Sequence, residues 1–248
     1  MKAPEMKAAM SAKTPMVGVS IMFSSPQLVE MIAALGFDWV LIDCEHGSID
    51  LSNLEVMAIA AKAAGITAIA RPPSNSSIDI MRVMDRGVDG VQVPHIKSKK
   101  EAKAAVESVK FHPLGNRGLA MGTRPSNYGI GVELDQYSKT SNLDSIVVLQ
   151  IEDREAIENL DEILSVADVD VFFVGPSDLS QSLGHPGKAN KPPVSTAITK
   201  IFRSIAEAGL TSGTASSEKQ MEKAKKEGCC YLYTHLNNVL KLGAENYL

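Results

Sequence analysis

Five short apolar runs of this sequence end in side chains that could do chemistry. DWVLID runs into Asp43, Cys44, Glu45 and His46; TAIAR ends in Arg71; GVQVPHI carries Pro94 and His95; SIVVLQIE ends in Gln150 and Glu152; and DVFFVG leads to Gly175, Pro176, Ser177 and Asp178. Gln150 and Glu152 are two residues apart, so on an extended chain they project from one face. A carboxylate beside an apolar wall is costly to bury without a proton or a cation. With Asp178 as a second oxygen donor and no cysteine or histidine pair nearby, the pair makes a hard site suited to Mg²⁺, Mn²⁺ or Co²⁺. Two other roles stay open: Glu152 as an acid at the start of an EDREA helix, and Asp178 as the N-cap of DLSQSLG. His46 can serve as a base near neutral pH, with Asp43 or a neighbouring carboxylate orienting its ring. Arg71, just before Pro72 and Pro73, offers a planar fork for a substrate carboxylate, or for carbonyls at a rim. His95, His112, His185 and His235 are scattered without ligand spacing and read as structural, and Phe172 and Phe173 read as core.

Such groups need a scaffold that brings successive strand ends to one place. Eight apolar runs, starting at Met16, Asp38, Thr67, Gly90, Ser145, Asp170, Leu210 and Cys229, alternate with helical stretches, several of which stop at a glycine: Gly36, Gly65, Gly87, Gly209 and Gly228. Strands alternating with helices imply a parallel sheet. Eight units of about 31 residues match a single closed (β/α)₈ barrel, with the active site at the strands' C-terminal ends. A doubly wound dinucleotide fold would need glycines directly after a strand; the only cluster, Gly115, Gly118 and Gly122, follows a helix. It lies in a long irregular stretch, about residues 111–131, which reads as a lid or a subunit contact. Residues 1–14 read as a short N-terminal extension of the one barrel domain.

Composition narrows the partners. The chain has 248 residues, 44% of them apolar, with 25 Lys and Arg against 29 Asp and Glu, so nothing favours nucleic acid. Three cysteines fit a reducing compartment, no apolar run is long enough for a membrane span, and MKAPEMKAAMSAK lacks a signal peptide's apolar segment; the expected location is the cytoplasm. No lysine falls inside any of the eight strand runs, which argues against Schiff-base chemistry; the nearest, Lys97, begins the solvated cluster Lys97, Lys99 and Lys100.

The stretches FDWVLIDCEHGSID, IARPPS, MDRGVDGVQVPHIKSKKEAKAAVESVKFHPLGNRG, QIEDREAIENLDEI and VDVFFVGPSDLSQSLG, in this order, resemble the HpcH/HpaI aldolase family, metal-dependent class II pyruvate aldolases on a (β/α)₈ barrel. The resemblance implies that Glu152 and Asp178 hold the metal, that Arg71 and Gln150 hold pyruvate, and that the backbone of Gly175, Pro176 and Ser177 lines the pocket. It implies that His46, paired with Asp43, moves the proton with Glu45 in support, and that Asp85 reaches a neighbouring subunit's site in a homo-oligomer, a hexamer in the family. The implied reaction splits a 4-hydroxy-2-oxo acid into pyruvate and an aldehyde. A coenzyme A thioester lyase of the citrate lyase superfamily and a barrel that binds a keto acid without turnover are the alternatives. The chain departs from the family at YLYTHLNN, where His235 and Asn237 stand near a family glycine and acid, and at GVSIMFSSP, where a family tryptophan often sits.

Overall fold

The computed structural model describes all of residues 1–248. All eight expected strands form: β1 (Met16–Ile21), β2 (Trp39–Asp43), β3 (Thr67–Arg71), β4 (Gly90–Val93), β5 (Ile146–Ile151), β6 (Val171–Val174), β7 (Ser212–Ala215) and β8 (Tyr231–His235). Each pairs in parallel with the next, and β8 closes on β1, giving the single (β/α)₈ barrel. The five expected glycine stops all have φ between +70° and +87°, the left-handed conformation that ends a helix at least cost in glycine.

Alternation along the strands builds two cores. Outward residues such as Val19, Val40, Val91, Val147 and Phe172 pack under the helices, among them α2 (Pro26–Ala34), α3 (Leu51–Ala64), α4 (Ser77–Met84) and α5 (Lys99–Val109). Inward residues Trp39, Leu41, Ile69, Val148, Phe173, Tyr231 and Tyr233 fill the barrel, with Trp39 stacked on Tyr231 at 4.1 Å between ring centroids. Truncating such a buried indole would cost about 3–5 kcal/mol.

The N-terminal segment is more than an extension. It contains α1 (Ala3–Ser11), whose Met6 and Met10 are buried with Met16 and Trp39 and close the barrel at the strand starts. The signal was present: Ala3, Met6 and Met10 repeat at helical spacing. Residues 111–131 lie at that same end, because they follow α5 and precede α6 (Leu134–Asp144), which leads into β5. Arg124 of this stretch bonds the carbonyls of Gly87 and Ala58, so the stretch is not a lid over this chain's own mouth. The remaining helices are α7 (Arg154–Glu158), α8 (Leu160–Leu164), α9 (Pro176–Ser182), α10 (Val194–Glu207), α11 (Glu218–Lys226) and α12 (Leu236–Glu245). No helix is long and apolar enough to cross a membrane.

Candidate active site

At the strands' C-terminal ends a pocket of about 150 Å³ is lined by His46, Arg71, Gln150, Glu152, Gly175, Pro176, Ser177 and Asp178, with Met22, Phe173, Ala215, Tyr233 and His235. Most of the expected site residues therefore meet in one place. A larger cavity of about 550 Å³ opens at the opposite end of the barrel and contains none of them.

Glu152 follows β5 and is buried, its Oε2 accepting from Gln150 Nε2 at 2.6 Å and its Oε1 from the His95 backbone N–H at 2.9 Å. Burial pushes its carboxyl up to about 7; the two hydrogen bonds pull the other way, and the charge of Asp178 adds to the rise. Asp178 lies in the first turn of α9, whose N-cap is Gly175, and Glu152 precedes the N-cap of α7, Asp153. Asp178 is therefore not the N-cap left open by the sequence, while Glu152 does stand at the entry to α7. A buried carboxyl whose ionisation is opposed by burial and by a second acid gains from a cation, and two hard oxygen donors fit a divalent one that keeps waters on its remaining positions. No set of three or more His, Cys, Asp or Glu groups stands in ligand geometry.

Arg71, at the end of β3, is almost fully buried. Its Nε and Nη2 donate to the two oxygens of Asp43 on the adjoining β2, and its Nη1 lies 3.1 Å from Glu45 Oε2. Burial alone would raise Asp43, but the Arg71 guanidinium and the amides of His46 and Glu45 outweigh it and hold the carboxyl below the usual range. With five N–H donors on the fork, one hydrogen remains on each Nη for a substrate anion. Asp43 takes a different place from the one expected. Its Oδ1 accepts from the backbone N–H of His46 at 3.2 Å, while the His46 ring has Glu45 as its carboxylate neighbour, 3.8 Å from Nε2. Asp43 thus fixes the loop and the arginine, and Glu45 faces the ring.

Two buried glutamines extend the network. Gln92 on β4 donates to Gln150 Oε1 and accepts from Tyr231 Oη at 3.0 Å. Gln150 is thereby held with its amide N–H₂ towards Glu152.

His95 belongs to the site, although its spacing suggested a structural role. It adopts φ of +55°, which turns its N–H onto Glu152, and its ring contacts Asp153 at 3.0 Å and Glu45 at 3.4 Å. Left-handed backbone away from glycine costs energy and gathers at functional sites. The one available signal was its place after Pro94 at a strand end. His235 lines the pocket itself, whereas His95, His112 and His185 do not. Asp85, at the C-cap of α4, is far from this mouth and pairs with Arg117 at 2.7 Å.

Residues 17–231 match the HpcH/HpaI aldolase/citrate lyase family model. The chain belongs to that family. It is 32% identical over 221 residues to a hydroxypyruvate/pyruvate aldolase of Sagittula stellata, covering 89% of this chain and 86% of that one. It is 35% identical over 207 residues to a 5-keto-4-deoxy-D-glucarate aldolase of Escherichia coli, covering 84% and 80%. The crystal structure of an HpcH/HpaI aldolase/citrate lyase family protein from Burkholderia cenocepacia superposes with a TM-score of 0.91 at 26% identity, over 98% of this chain and 96% of that one. The protein is an enzyme of the class II aldolase type.

Proposed function

We propose that this HpcH/HpaI family member cleaves a 4-hydroxy-2-oxo acid to pyruvate and a small aldehyde, using Mg²⁺, Mn²⁺ or Co²⁺ held by Glu152 and Asp178. The observation that carries the proposal is the sharing of one small pocket by the acid pair, the Arg71 fork, the Gln150 amide and His46. A bound divalent cation would supply Lewis-acid stabilisation of the charge that develops on the keto oxygen as the bond breaks.

The chain's own residues do the rest. The two free N–H groups of Arg71 bind the substrate carboxylate, the end of the molecule that does not change. Gln150, oriented by Gln92, holds the keto end against Glu152. The backbone of Gly175, Pro176 and Ser177 forms the floor, and Phe173, Tyr233 and Met22 exclude water from the breaking bond. His46, half exposed at the rim, draws the proton from the 4-hydroxyl, and Glu45 supports its charged form. A buried lysine does exist, Lys110, lowered to about 8 by burial and by the charge of Lys7, but it bonds Asn142 and Ser145 at the strand starts and cannot reach the substrate. That supports metal-assisted over Schiff-base chemistry.

The protein works as a homo-oligomer, a hexamer by its family resemblance. Asp85 supports this, since it can serve a catalytic mouth only on a neighbouring subunit. The test of the function is pyruvate release from a panel of 4-hydroxy-2-oxo acids, coupled to lactate dehydrogenase. Release that stops in excess chelator and returns with Mg²⁺, Mn²⁺ or Co²⁺ is expected; full activity in excess chelator would refute it.

A further inference from the structure

The carboxylate of Glu45, on the turn after β2, is held by side chains alone. Its Oε2 lies 3.1 Å from Arg71 Nη1 and 3.8 Å from His46 Nε2, and its Oε1 lies 3.4 Å from His95 Nε2. The Glu45 side chain is only 9% exposed, so Oε1 has little water to turn to and depends on the His95 ring. A glutamate keeps three rotatable bonds, and with Oε1 released the group is free to rotate wholly onto the arginine or out of the mouth, away from His46.

His95 is fixed at every other point. Its Nδ1 lies 3.0 Å from Asp153 Oδ2, its backbone N–H donates to Glu152 Oε1 at 2.9 Å, and its carbonyl accepts from Asn75 Nδ2 at 3.1 Å. It keeps these contacts at φ of +55°, a conformation that persists away from glycine only where the surroundings over-determine it. The ring is half exposed and lies outside the pocket lining, so contact with a substrate does not account for it. What it does is span the mouth, from the turn after β2 to Asp153 at the start of α7. Resting on the aldolase reading above, we propose that His95 is a positioning residue for the proton transfer. Its ring holds Glu45 Oε1, so that Oε2 stays beside His46 and the Arg71 fork, while its backbone alone serves the cation side through Glu152. Turnover then depends on the His95 side chain, and cation binding does not.

Two amide side chains separate the two ring nitrogens. Counted in bonds from Cα, the asparagine nitrogen corresponds to Nδ1 and the glutamine nitrogen to Nε2, and each is a donor. His95→Asn therefore keeps the donor to Asp153 and suits the left-handed backbone, but does not reach Glu45; His95→Gln keeps the donor to Glu45. With the full chain and Mn²⁺, kcat and KM are measured on the member of the 4-hydroxy-2-oxo acid panel that the wild type cleaves fastest, and Mn²⁺ affinity is measured by calorimetry without substrate. His95→Asn is expected to lower kcat by about 10–100-fold while KM and Mn²⁺ affinity stay within about threefold of the wild type, and His95→Gln to recover kcat to within about threefold. In a Glu45→Ala background, where nothing is left to hold, adding His95→Asn should change kcat by less than about twofold. Asp153→Ala frees the ring without altering His95 and should lower kcat in the same sense, with KM unchanged. Wild-type kcat in His95→Asn, equal losses in the Asn and Gln variants with Mn²⁺ affinity intact, or an undiminished effect of His95→Asn in Glu45→Ala would overturn the role while leaving the aldolase reading intact. So would a parallel loss of kcat, substrate affinity and Mn²⁺ affinity, which marks a residue of the cation site or of the fold. No cleavage of any panel member by the wild type would overturn both.

Discussion

Gly175 sits between β6 and α9 with φ of −86° and ψ of 96°, a conformation open to any residue, so replacing it by alanine strains no backbone. What the added methyl meets is Glu152. A Cβ at this position overlaps Glu152 Oε2 and lies 3.1 Å from its Cβ and 3.4 Å from its Cδ. The carboxylate must swing away by about 1 Å to restore ordinary contact. It ends a flexible side chain, so the fold absorbs the change at the cost of two buried hydrogen bonds, about 1 kcal/mol each, against which the smaller conformational freedom of the unfolded chain returns about 0.4–1 kcal/mol. The site does not absorb it. A swing of that size breaks the alignment with Gln150 Nε2 and the His95 amide and moves one of two cation ligands. Disturbing what orients a ligand typically costs about 10–100-fold in metal affinity, or roughly 1.4–2.8 kcal/mol. Gly175→Ala should therefore melt within a few degrees of the wild type in chelator, yet bind Mn²⁺ about 10–100-fold more weakly by calorimetry, with kcat/KM falling in step. Wild-type Mn²⁺ affinity together with wild-type turnover would show that Glu152 is not a ligand, or that its position is immaterial.

Three further outcomes follow from the same geometry. His46→Ala should lower kcat by about 100-fold with little change in KM, whereas Arg71→Lys should act mainly on KM, because an ammonium can neither grip a carboxylate in two places nor satisfy Asp43; steady-state kinetics separate the two. Glu152 stands at about 7 against an ordinary 4.5, so the fold favours its protonated form. Its contribution to the stability of the chelated protein is complete below about 4.5 and is lost as pH rises through about 7, and melting scans across this window should fall more steeply for the wild type than for Glu152→Gln. Equal slopes would contradict the assignment. Lys110→Met should cost about 1–3 kcal/mol by urea denaturation, because it orphans buried acceptors, but should spare turnover; borohydride with pyruvate should leave no adduct on any lysine, and a trapped pyruvyl-lysine would refute the metal-assisted mechanism.

Much of this enzyme was legible in its sequence. Strand and helix periods, the glycine stops and the regular spacing of units suffice for a barrel, because they record local geometry and the repeated need to return the chain to one edge. Once the barrel is granted, strand ends converge, and Glu152, Asp178, Arg71, Gln150 and His46 come together without further information. The sequence could not say which group faces which across strands. Asp43 and Arg71 are 28 residues apart, and their pairing arises from the β2–β3 register, which turned Asp43 from a ring-orienting group into the anchor of the arginine. His95 reaches Glu152 across 57 residues through a left-handed backbone that no spacing announces. Period and propensity are properties of a segment, whereas hydrogen-bond satisfaction and burial are properties of neighbours in space, and it is the closed tertiary fold that decides who those neighbours are.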